Sequence, residues 1–157
     1  MSEDPAHYTL LPHLTVAVVV EKEGRFLLVE EATDGDRVVY NQPAGHVEPE
    51  EELLAAAVRE TREETGWEVE PVALLGLYRY HSPWNGVTYH RVCFVARPLS
   101  HDREMALDEG ILRAAWLSRD EIASRPERLR SPLVLRVIDD YLAGRRHPLD
   151  VIREVDE

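Results

Sequence analysis

One cysteine, Cys93, occurs in 157 residues, so no disulfide can form within the chain. Its place in the apolar run 92–96 reads as a buried thiol rather than a nucleophile. No stretch approaches the roughly 20 apolar residues that a membrane-spanning helix requires. The first ten residues also lack the basic and apolar regions of a signal peptide. The expected compartment is the reducing cytoplasm, away from any membrane. Positive charge is scarce too: 18 basic against 30 acidic side chains give a formal charge of −12, which argues against a sequence-independent grip on nucleic acid. The same deficit is an obstacle to any phosphorylated substrate unless metal ions neutralise the site locally. Repeats and low-complexity segments are absent. With 44% hydrophobic residues the chain can build a real core, and its length suits one domain, over residues 10–150, with 1–9 and 151–157 as flexible termini.

What the chain does have is GHVEPEEELLAAAVRETREETGW, residues 45–67. Glu60, Glu63 and Glu64 stand three and four residues apart, within one sector of a helix. Leu53, Leu54, Ala57, Val58 and Thr61 form an apolar stripe on the opposing face, Pro49 fits the start and Gly66 the C-terminal stop. Like charges at that spacing repel, and a bound cation reverses the penalty; hard oxygen ligands suit Mg²⁺ or Mn²⁺. Glu64 borders the apolar stripe and should be the better shielded, Glu63 the wetter. Arg59 lies between Glu51 and Glu63 in projection, placed to hold a carboxylate bidentately and so to organise the cage. A solvated charged face is the alternative on composition alone.

Around that helix, residues 15–20 are a continuous β-branched run expected of a strand buried on both faces. Residues 25–31 and 37–40 read as strands joined across Thr33-Asp34-Gly35-Asp36, and 72–80 and 88–98 as a second pair around Ser82-Pro83-Trp84-Asn85-Gly86. Residues 114–117 suggest a last short strand. Ser118 and Glu121 make a capping box, and Ser131-Pro132 opens a helix whose buried stripe is Val134, Leu135, Ile138, Tyr141 and Leu142, closed by Gly144. Strands interleaved with few helices point to an α/β chain with a mixed sheet.

Gly45, Glu51, Arg59, Glu60, Glu63, Glu64, Gly66 and Trp67 together resemble the signature of the Nudix hydrolases; Thr61 alone departs, standing where that family prefers an aliphatic residue. The resemblance implies an α/β/α sandwich with a mixed sheet. It also implies Mg²⁺-dependent hydrolysis of phosphoanhydrides, with Glu60, Glu63, Glu64 and the Gly45 carbonyl as metal ligands. For catalysis the candidates are Glu63, Glu60 and Arg59, and from the later loop Asp108-Glu109 we favour Glu109 as supplementary ligand or base. An ordinary solvated acid is the competing reading of Glu109.

Substrate contacts must come from elsewhere. Tyr78, Tyr80, Trp84 and Tyr89 surround the second hairpin and offer aromatic faces to a ring, although strands favour aromatics for packing alone. Arg79, Arg91 and Arg130 are candidates for phosphate, and His46 adjoins Gly45. Residues 41–46, 12–17 and 129–133 further resemble the NudJ phosphatases, including Ala44 where many Nudix enzymes carry a glycine. That similarity implies removal of terminal phosphate from nucleoside tri- and diphosphates and from hydroxymethylpyrimidine diphosphate, by a monomer or homodimer acting on a small molecule. A Nudix enzyme releasing pyrophosphate or a nucleoside monophosphate, and a non-catalytic nucleotide sensor, are the alternatives.

Overall fold

The computed structural model describes residues 11–33 and 35–157. The expected flexible segment 1–9, and Asp34 of the first turn, lie outside the described residues. Among these residues, seven strands and three α-helices follow in the order β1 (His13–Lys22), β2 (Arg25–Ala32), β3 (Val38–Asn41), β4 (Ala44–His46), α1 (Leu53–Thr65), β5 (Trp67–His81), β6 (Thr88–His101), β7 (Ile111–Ser118), α2 (Arg119–Ala123) and α3 (Leu133–Leu142), with short 3₁₀ turns at Pro126–Arg128 and Leu149–Val151.

β1 is the spine. It runs parallel to β6 along eight register pairs, from His13↔Tyr89 to Val20↔Ala96. β4 lies antiparallel beside it at Thr15↔His46 to Ala17↔Ala44. The main path of the sheet is β3-β2-β1-β6-β5, with β4 on β1 and β7 on β2. Every pairing except β1 with β6 is antiparallel, so the sheet is mixed as expected.

The apolar run of β1 feeds two cores because successive side chains point to opposite faces. Val16, Val18 and Val20 enter a layer with Ala56 and Ala57 of α1 and with Phe94. Ala17 and Val19 enter the other layer with Ile122 of α2 and Val134, Val137 and Ile138 of α3. Helices on both faces of one sheet make the α/β/α sandwich. Each of these valines, once buried, contributes about 1.5–3 kcal/mol.

Several local expectations shift. Helix α1 starts at Leu53, four residues past Pro49, because Glu50 takes a left-handed φ of 66° and turns the chain first. Its fully buried residues are Ala56, Ala57, Thr61 and Thr65, with Leu53 and Leu54 at the margin of the core. Thr61 is tolerated there because its hydroxyl donates to the Ala57 carbonyl at 2.7 Å, so no polar group is stranded. Gly66 closes the helix with φ 76°, and a Cβ there would come within 2.6 Å of the Asp102 carbonyl oxygen. Helix α3 buries Leu133, Val134, Val137 and Ile138, whereas Leu142 is exposed, its position falling beyond the last buried turn. The predicted capping box at Ser118 forms with both bonds.

In the tail after residue 150, read from the sequence as flexible, Ile152 packs on the α1-side core and a Glu154 carboxylate oxygen accepts from the Leu53 amide at 2.7 Å, capping α1 from a distance, while the other residues of 151–157 are exposed. Among the described residues, no helix is long and apolar enough to cross a membrane.

Candidate functional site

Helix α1 brings Glu60 and Glu63 to the loop before β7. There the Asp108 amide donates to the Glu63 carbonyl at 3.0 Å, which fixes the loop against the last turn of the helix. One carboxylate oxygen from each of Glu60, Glu63 and Asp108 lies within 4.8 Å of the others. Three hard anionic oxygens that close fit a divalent cation of the Mg²⁺ type. Of the two loop acids, then, Asp108 joins the helix. Both loop acids are exposed; Glu109, favoured from the sequence, is not one of the three, and it is the Asp108 backbone that bonds to Glu63.

Glu64 sits deeper. Its Oε1 accepts from the Ala44 amide at 2.9 Å, and burial, above all, pushes its pKa up to about 8, with Glu60, Glu31 and Asp108 adding repulsion. Burial likewise raises Glu60, against the opposing pull of Arg59. Glu63 is the wetter of the pair, as the helix projection requires. All these acids are set against one another at a cost that a cation between them would offset.

The loop facing them is a strand, β4, which the sequence did not announce. Gly45 pairs with Val16 in a regular ladder and has no left-handed backbone. Its need for glycine comes from the neighbour: a Cβ at Gly45 would overlap the Glu60 carboxyl group. The strand is therefore stripped of side chain where α1 presents its central acid.

Arg59 ties these parts together. Its Nε and Nη2 donate bidentately to Glu51 at 2.6 and 2.9 Å, Nη1 donates to Glu60 at 3.0 Å and Glu63 at 3.1 Å, and Nη2 reaches the His46 carbonyl at 3.3 Å. Glu51 in turn accepts from the Glu48 amide, and the Arg59 hydrogen bond holds its carboxyl below the usual range. The guanidinium thus fixes two of the clustered carboxylates and the strand opposite.

The sheet end beside β4 carries the other candidates. Side chains of paired residues share a face, so His46, Thr15, Arg91 and Tyr78 form one row across β4, β1, β6 and β5, and His13, Tyr89 and Tyr80 the next. His46 shares a hydrogen bond with His13 at 3.0 Å, and the two rings and Tyr89 meet edge to face. Burial, with His13 alongside, lowers the His46 pKa. Arg79 falls on the opposite face, since it alternates with Tyr78 and Tyr80, and does not join Arg91. Trp84 is 76% exposed at the hairpin tip, with the Arg37 guanidinium over its ring at 5.7 Å. Arg130 pairs with Glu31 at 3.2 Å. His13 was not among the candidates drawn from the sequence; the parallel pairing that puts it beside Tyr89 leaves no local signal.

Comparison with known proteins agrees with this geometry. The NUDIX domain model matches residues 11–137. Proteins named "Phosphatase NudJ" from Escherichia coli (strain K12) and Shigella sonnei (strain Ss046) are 39% identical over 141 residues, covering 90% of this chain and 90% of each relative. A solved NUDIX hydrolase from Nitrosomonas europaea superposes with a TM-score of 0.90 at 45% identity, over 92% of this chain and 98% of that one. A MutT NUDIX hydrolase from Burkholderia pseudomallei shares the fold at 20% identity, with a TM-score of 0.70 over 83% of this chain and 98% of that one. The chain belongs to the NUDIX family, as a hydrolase of phosphoanhydride bonds related to the NudJ phosphatases.

Proposed function

We propose that this hydrolase removes the terminal phosphate of nucleoside tri- and diphosphates, and of hydroxymethylpyrimidine diphosphate, with Mg²⁺ as its ion and Mn²⁺ as a substitute. The observation that carries the reading is the convergence of Glu60, Glu63 and Asp108 beside Gly45, in a chain 39% identical to proteins named phosphatases. Glu60, Glu63, Glu64 and Asp108, with the Gly45 carbonyl, are the oxygen donors that would hold the metal. When bound, such an ion neutralises phosphate oxygens and lowers the pKa of water.

The chain's own residues supply position and proton handling. Arg59 keeps Glu60 and Glu63 oriented toward the loop, and is a positioning residue rather than a substrate contact. Glu63, the most open of the helical acids, is placed to accept the proton of the attacking water, and Asp108 takes the supporting role expected of Glu109. His46, adjoining Gly45, would border the phosphates. Tyr80 and Trp84 offer faces to the leaving group's ring.

The test is product analysis with a nucleoside triphosphate and Mg²⁺, measuring orthophosphate and pyrophosphate separately. Orthophosphate with diphosphate is expected; pyrophosphate with monophosphate as the main products would reject terminal attack. Glu64→Gln should leave the fold intact and abolish most turnover, and unchanged turnover would remove Glu64 from the ligand set.

A further inference from the structure

Arg91 is the one buried charged side chain in the described core, at 8% exposure, and its Nε has no hydrogen-bond partner. Its two amino groups reach only Gln42 Oε1 and Asn41 Oδ1, each at 3.5 Å, well beyond the usual 2.9 Å of a formed bond. Gln42 is itself held, its amide nitrogen donating to the Val134 carbonyl at 2.7 Å, which turns the oxygen toward Arg91. No carboxylate pairs with this guanidinium among the described residues. The ionisable groups close enough to act on it are Cys93, Arg130, Glu31 and Glu64. Cys93 is a neutral thiol, pushed up to about 12 by burial, and Arg130 repels. Glu31 is engaged by Arg130, and Glu64 by the Ala44 amide.

An arginine remains charged in proteins, and a buried charge without a partner is strongly unfavourable. Such an arrangement is stable in use only if an anion from outside completes it. Position says which anion. The row from Arg91 crosses Thr15 on β1 to His46 on β4, two strand spacings or about 10 Å between backbones. The guanidinium itself meets Asn41 and Gln42, the residues that lead the chain into β4, so it lies beside the strand that carries Gly45.

We propose that Arg91, with Asn41 and Gln42 beneath it, forms a subsite for the phosphate that stays with the leaving group when the terminal phosphate is removed. This rests on the terminal-phosphate reading above. In the free protein the two amide oxygens hold the guanidinium loosely; an anionic phosphate oxygen replaces long contacts by charge-assisted ones and satisfies Nε. The aromatic row of Tyr80, Tyr89 and His13 then lies farther along the same strands, where the leaving group's ring would follow.

The experiment is titration of the full chain in EDTA, so that no metal site contributes, with UMP and with uridine. Wild type should bind UMP about tenfold or more tightly than uridine, and Arg91→Met and Arg91→Gln should each reduce that ratio to near one. Wild type that does not prefer UMP, or neutral variants that keep the preference, overturn the proposal. Variants that weaken UMP and uridine equally would place a ring oxygen at Arg91 and overturn it too. Removing an unpaired charge should also raise the metal-free melting temperature of Arg91→Met by several degrees. A fall would show that the guanidinium has adequate partners in the protein, again contradicting the subsite; if Arg91→Met does not fold, Arg91→Gln decides the binding ratio. Glu64→Gln should bind UMP in EDTA like wild type while failing to turn over. Persistent turnover there sinks the metal reading and leaves the Arg91 result standing.

Discussion

Two arginines face opposite circumstances in this molecule. Arg59, on α1, donates to three carboxylates and a carbonyl, and its charge is reinforced chiefly by Glu51. Arg91, on β6, is more deeply buried, makes two long contacts to amides, and has its charged form disfavoured by desolvation. The carboxylate region has surplus negative charge awaiting a cation. The sheet region has a positive charge awaiting an anion. On the proposed function, a metal-bound phosphorylated substrate would answer both needs at once and so offset the repulsion expected from a chain of net charge −12.

The largest expected effect breaks the carboxylate side alone: Glu64→Gln lowers kcat by about a hundredfold or more, measured as orthophosphate release, while metal-free UMP binding is unchanged. Next, the two arginines should give stability changes of opposite sign without metal. Arg59→Met strands Glu51, Glu60 and Glu63 and lowers unfolding free energy by about 2 kcal/mol, whereas Arg91→Met raises it; denaturant melts of both variants compare them directly. Gly45→Ala pushes aside the Glu60 carboxylate and should weaken Mg²⁺ binding by about tenfold, read by calorimetry, with Arg91-dependent UMP binding retained.

Proton linkage sharpens the contrast further. Glu64 has a folded pKa raised to about 8 from an ordinary carboxylate value near 4.5, so its contribution to stability is full below about pH 4.5 and is lost as pH rises through about 8. In EDTA, wild type should therefore lose stability over that window, and Glu64→Gln should flatten the slope. Because a ligating carboxylate must be deprotonated, Mg²⁺ affinity should climb with pH up to about 8 and then level off. The smallest effect lies outside both regions: Glu154→Ala removes the remote acceptor for the Leu53 amide and should cost about 1 kcal/mol, seen in thermal melts.

The same contrast explains how much of the molecule was legible in its sequence. Helix α1 and its acids were readable because residues three and four apart meet on a helix whatever surrounds it. The strands were readable from β-branched runs and turn residues, and β1 was correctly expected to be buried on both faces. Glu109 was preferred to Asp108 because nothing in the order of two adjacent acids reveals which backbone docks on Glu63. Arg79 and Arg91 stood equal as phosphate candidates until register put them on opposite faces. Strand β4, only three residues long, has too little pattern to be seen, and the tail looked free because its anchor, the Leu53 amide, is 101 positions away.

By itself the sequence determined the carboxylate helix, the glycine beside it, the continuous β-branched core strand and the family, since each is carried by spacing within a few turns or by a contiguous motif. Tertiary structure alone decided that Gly45 must yield room to Glu60, that Asp108 closes the cluster, and that Arg91 is buried without a counter-charge. Those outcomes depend on parallel pairing of β1 with β6 and on contacts between residues far apart in the chain, where geometry in space, rather than periodicity along the backbone, sets which groups meet.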